Sequence, residues 1–144
     1  MNWFKKISQN SVQSEYNIGT PNINVKPLEP LVQEVINELT MKSPNLFYNI
    51  SDVNIDMGGQ NALGWVSNTT ANTINLNMAR IKSDIKSQTG VSDENSDEYK
   101  VYLKKAIASV LMHELGHVED YDPVSGSFPG GEAAAEQFER NIAL

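Results

Sequence analysis

The chain contains no cysteine, which removes disulfides, thiolate-held zinc, iron–sulfur clusters and thiol nucleophiles from consideration. Histidine is almost as scarce, with two residues in 144, so metal or acid–base chemistry has to be built from those two rings together with carboxylates. Cationic residues are few as well: 11 Lys and Arg stand against 18 Asp and Glu, for a net charge of −7. The basic pairs Lys5-Lys6 and Lys104-Lys105 are too short to make a patch. This balance argues against nucleic acid and against a membrane surface as partners, since both are held through clustered positive charge. No apolar run approaches the roughly 18 residues of a membrane span. Lys5-Lys6 leads into Ile-Ser-Gln-Asn-Ser rather than the apolar stretch of a secretory signal. The expectation is a soluble protein without its own export signal, cytoplasmic or carried in a larger assembly.

What is present suffices for a fold. Leu, Ile, Val and Phe make up 36 of the 144 residues, above the roughly 20% below which chains tend to disorder. The length fits one domain, and a domain of that size buries enough surface to need no covalent staples. Residues 1–26 are polar with scattered hydrophobes and read as a poorly ordered N-terminal arm; residues 27–144 read as the domain. Pro30 suits a first helical turn, and Leu31, Val32, Val35, Ile36 and Leu39 follow at helical spacing until Ser43-Pro44. From Asn45 to Asn77 the hydrophobes alternate instead. Val53, Ile55 and Met57, then Ala62 to Val66 around Trp65, then Ile74 and Leu76 predict three short strands of a small sheet with one wet face.

Met78, Ile81 and Ile85 restore the helical period, with Gly90 as a stop. Asp93, Glu94, Asp97 and Glu98 then form a solvated acidic loop leading into a long helix, for which Asn95 and Glu98 suggest a capping box. Val101, Leu103, Ala106, Ile107, Val110, Leu111, Leu115 and Val118 give that helix a wide apolar stripe, and Asp122-Pro123 ends it at the latest. A Ser/Gly/Pro-rich loop precedes a final short helix from about Glu132, built on three alanines and Phe138.

Both histidines fall in one pentapeptide, His113-Glu114-Leu115-Gly116-His117, inside the long helix. At i and i+4 the two imidazoles project from one face and can reach a common ion, while Glu114, about 100° around the helix, can reach a water at the ion's open position. Gly116 breaks helix propensity by about 1 kcal/mol relative to Ala, a cost that at such a site signals functional or close-packing demand. A catalytic zinc site needs a third protein ligand. Glu132 and Glu136 share one face of the final helix, and Pro129-Gly130-Gly131 offers the turn that returns it. One could ligate and the other orient a ligating His, although acidic residues near a helix start are also favoured by the dipole alone.

His113-Glu114-Leu115-Gly116-His117 with the distal Glu132-Ala133-Ala134-Ala135-Glu136 resembles the gluzincin zinc metallopeptidases, whose pattern is H-E-x-x-H followed by E-x-x-x-D. The resemblance spans residues 113–136. It implies Zn²⁺ held by His113, His117 and Glu132, Glu114 as general base, and Glu136, in place of the usual Asp, supporting a ligand His. It also implies a peptide or protein substrate extended along a sheet edge, for which Thr73–Asn77 is the expected strand. Many gluzincins use a further His or Tyr for the developing oxyanion. With no third His, Tyr121 is nearest in sequence, its other reading being an amphipathic helix-end contact. The metzincin pattern wants Gly at 120 and His at 123, where this chain has Asp120 and Pro123. Ligation by Asp120 or Asp122, as in aspzincins, is a minor alternative.

The expected fold is thus α+β and zincin-like: a small antiparallel or mixed sheet on a long active-site helix, with a short C-terminal helix carrying the third ligand. The expected function is zinc-dependent endopeptidase activity. The rivals are a catalytically weak or inactive zincin-like binding or structural protein of a larger assembly, and a hydrolase acting on something other than a peptide.

Overall fold

Seven elements follow one another in the computed structural model, which describes residues 23–56, 62–66, 72–122, 124–125, 127–133 and 135–136. They are β1 (Asn24–Lys26), α1 (Pro30–Lys42), β2 (Asp52–Asp56), β3 (Gly64–Val66), β4 (Thr73–Asn77), α2 (Met78–Thr89) and α3 (Asp97–Asp120). Residues 131–133 and 135–136 are again helical. The architecture is mixed α+β, a four-stranded sheet with a long helix.

The sheet runs β1-β2-β4-β3, parallel from β1 through β2 to β4, with β3 antiparallel at the far edge. Alternation sets its two faces. Val25, Val53, Ile55, Ile74 and Leu76 point into the core. On the opposite face the Asn54 amide donates to Asn75 Oδ1, and the Asn75 amide donates to the Trp65 carbonyl, both at 3.3 Å, so the asparagines lace β2, β4 and β3 together on the polar side. β4 runs straight into α2 at Asn77, whose side chain accepts from Arg80 N at 3.0 Å and caps the helix. Gly90 ends α2 in the left-handed conformation at φ 75°.

Helix α3 is the central strut, packing against α1, α2, β3 and β4. Ile107 and Leu111 are fully buried on it, and Ile36 and Leu39 meet them from α1 within the same core. Pro44 disfavours helical geometry at Ser43, which is extended, and so stops α1 where the sequence places the stop. Lys104 of α3 bonds Glu38 at 2.9 Å and Glu34 at 3.3 Å on α1. Burial pushes the Glu38 carboxyl above its ordinary value, with Lys104 pulling the other way.

Several expectations need correction. The lead-in drawn through residue 26 ends sooner, because Asn24–Lys26 is a strand and Ile23 and Val25 are buried; residues 1–22 lie outside the described residues, as do Met57 and Phe138. The cap of α3 is Ser96, whose hydroxyl accepts from Tyr99 N at 3.1 Å, and the Asn95 backbone N–H instead donates to the Asp93 carboxylate. Val101 is half-exposed and stands off the stripe. Thr73–Asn77 is not an edge, being flanked by β2 and β3; the antiparallel edge strand is Gly64–Val66.

Candidate metal centre

His113 and His117 leave one face of α3 with ring centroids 5.1 Å apart, nearly perpendicular. The chain turns beyond α3 and brings Glu132 back across both. Glu132 Oε2 lies 2.8 Å from His113 Nε2, and Oε1 lies 2.8 Å from His117 Nε2. One ligand atom from each residue falls within 4.8 Å of the others. The structure thus brings together His113, His117 and Glu132, the three residues that the resemblance implies as ligands. Glu114, 5% exposed, lines the same cleft of about 660 Å³.

The donor set fits a divalent cation. Each Nε2 faces its own oxygen of the Glu132 carboxylate, so two nitrogens and a carboxylate point into one small space. A divalent cation held at about 2.0–2.1 Å by a tetrahedral set needs donors roughly 3.3 Å apart, and one donor atom from each of the three residues already lies within 4.8 Å of the others. Two imidazoles and one carboxylate are the ligand types that zinc and neighbouring transition metals accept. The slight burial of Glu132 pushes its carboxyl up, but hydrogen bonds and charge from His113 and His117 together outweigh this and hold it below the ordinary carboxylate value.

The opposite wall of the cleft is strand β3, and Gly64 explains how closely it approaches. A Cβ at Gly64 would stand 2.7 Å from Val110 Cγ1, 2.9 Å from the Asn75 carbonyl oxygen and 3.3 Å from Glu114 Cγ. Only a residue without a side chain lets the edge strand lie this near α3. Leu63, Trp65 and Val66 make that side of the cleft apolar, Val110 adds to it from α3, and Phe128 closes the end near His117, ring to ring at 6.0 Å.

No known family, characterised protein or solved structure matches the chain. Its chemistry is therefore read from its own geometry. Tyr121 is the C-cap of α3, and its ring tilts against Phe128, which lines the cleft, at 5.2 Å. Glu136 follows one turn after Glu132 with an exposed side chain. Gly116 is buried within α3.

Asp120 and Asp122, weighed above as ligands, are engaged elsewhere. Asp122 accepts from Val124 N at 3.0 Å and from the Ser125 hydroxyl at 2.9 Å, which holds its carboxyl below the ordinary value. Asp120 Oδ2 accepts from Gly130 N at 2.7 Å and from Gly131 N at 3.1 Å. Sequence reasoning missed Gly64, Phe128 and this use of Asp120. A glycine inside a predicted strand was the available signal for the first; the other two depend on a turn whose shape spacing does not reveal.

Proposed function

We propose that the protein is a zinc-dependent peptidase of gluzincin type on a zincin-like fold. The observation that carries this reading is the convergence of His113 Nε2, His117 Nε2 and the Glu132 carboxylate at a cleft that Glu114 also lines. Bound there, zinc would supply an acidified water and a Lewis acid for a carbonyl oxygen.

The chain's own residues supply the rest. Glu114 sits next to His113 but about 100° around α3, so its carboxylate serves as general base, taking a proton from the attacking water and passing it to the leaving amine. Its burial keeps bulk water from competing for that role. Among the described residues β3 pairs only with β4, which leaves its outer edge for an extended peptide, bound by main-chain hydrogen bonds in the manner of an added strand. The apolar wall of Leu63, Val66, Val110 and Phe128 favours an apolar side chain beside the scissile bond.

The test is metal analysis of the purified chain together with cleavage of an unfolded protein substrate, with and without a chelator. Zinc near one equivalent and chelator-sensitive cleavage are expected. Glu114→Gln should retain the metal while losing roughly 10²- to 10⁴-fold in rate; His113→Ala should lose the metal. Bound zinc with no cleavage would transfer the chain to a binding or structural role, and a Glu114→Gln variant as fast as the parent would refute the mechanism.

A further inference from the structure

We propose that Asp120 is the positioning residue of the metal centre: by gripping the backbone at Gly130 and Gly131 it sets where Glu132 stands. The inference rests on the reading of His113, His117 and Glu132 as metal ligands.

Glu132 is the least anchored of the three. Its side chain is 71% exposed, against 23% for His113 and 15% for His117, so packing does not hold it over the imidazoles. Its backbone must do so. The residue directly before it, Gly131, and the one before that both donate their N–H groups to a single oxygen of Asp120. Gly130 lies in the turn and Gly131 opens the returning helical stretch, where the first backbone N–H groups have no carbonyl partner within their own helix. Bonds from backbone N–H to an ionised carboxylate are roughly twice as strong as neutral ones.

The position of Asp120 on α3 gives the arrangement its meaning. Residues 113, 117 and 120 follow the i, i+4, i+7 spacing of one helical stripe, with residue 120 about two turns beyond 113. One face of one helix thus carries two ligands and the clamp for the third. The path from Asp120 to the Glu132 backbone is one hydrogen bond to Gly131 and one peptide unit. Gly131 takes φ 55°, a left-handed turn suited to glycine, and its N–H also reaches the Phe128 carbonyl at 3.1 Å. On the far side, Ala135 is fully buried. The segment bearing Glu132 is therefore fixed at two points, and Asp120 supplies the one on the same helix as His113 and His117.

Zinc affinity of the full chain, measured by chelator competition, tests this. Asp120→Ala should weaken zinc binding about 10- to 100-fold, the usual consequence of removing a group that orients a ligand. Asp120→Asn, which keeps an oxygen acceptor, should recover most of the loss. Asp122→Ala, which loosens the neighbouring turn but not the grip on Gly130 and Gly131, should bind zinc like the parent. In the Glu132→Gln background, Asp120→Ala should cost little more, since the residue acts through Glu132. If Asp120→Ala does not fold, Asp120→Glu, which displaces the acceptor by one methylene, takes its place with the same expected direction. Parental affinity in the Ala or Glu variant, or a full additional loss in the Glu132→Gln background, overturns the proposal. A parent chain that binds no zinc refutes the metal reading instead, so the two failures are distinguishable.

Discussion

At Gly64 a single hydrogen atom decides how near the edge strand comes to the helix that carries Glu114. Gly64→Ala drives a methyl group into Val110 and into the Asn75 carbonyl, which is backbone and cannot rotate away. The expected cost is about 1–3 kcal/mol of stability, as for overpacked cores, read as a lower midpoint in urea. Because the same methyl crowds Glu114, turnover should fall while zinc binding is kept. The approach of His113 and His117 is legible in the sequence, because they lie at i and i+4 of one helix, whereas spacing alone leaves Glu132 and Glu136 as alternatives and the structure brings Glu132 to the two rings. Asp120 was not legible, because its partners are backbone groups ten and eleven residues away and any side chain there would leave those N–H groups unchanged in the sequence. Ser96 and Asn95 are adjacent and both are good caps, so composition alone does not separate them.

The tie between α1 and α3 runs through Lys104, 17% exposed, and Glu38, 14% exposed. Burial raises the Glu38 carboxyl above its ordinary 4.5, partly offset by Lys104. A carboxyl that holds its proton more tightly when folded makes stability fall as pH rises from the unfolded value through the folded one. In Lys104→Met the offset is gone, so that fall should be deeper and extend to higher pH. Urea midpoints taken across about pH 4 to 7 should show the difference, and adding Glu38→Gln should abolish it. Helices of this kind were visible in advance because their apolar periods are long and their stops are explicit, Ser43-Pro44 and Gly90. Strand order was not. Alternation in Thr73–Asn77 and around Trp65 identifies strands and their inward faces, but nothing local says which of them lies at the rim, and the structure gives that place to Gly64–Val66.

For the molecule as a whole, the sheet and the helices form one continuous core, and the proposed metal site sits where β3, α3 and the returning C-terminal segment meet. Among the described residues no helix is long and apolar enough to cross a membrane. A ligand that binds only the folded chain stabilises it by mass action. Free zinc at a hundred times its dissociation constant should therefore add about 2.7 kcal/mol, seen as a rise of several degrees in Tm that a chelator reverses. A Tm indifferent to zinc, to cobalt and to chelator would remove the metal centre from the description.

The two rings and the carboxylate all fall within residues 113–132, so an ion bridging them closes a short loop and incurs little chain entropy in doing so. Its influence should consequently stay local: amide hydrogens of the third helix and the turn after it exchange more slowly in the loaded protein, while those of the first two strands keep their rates.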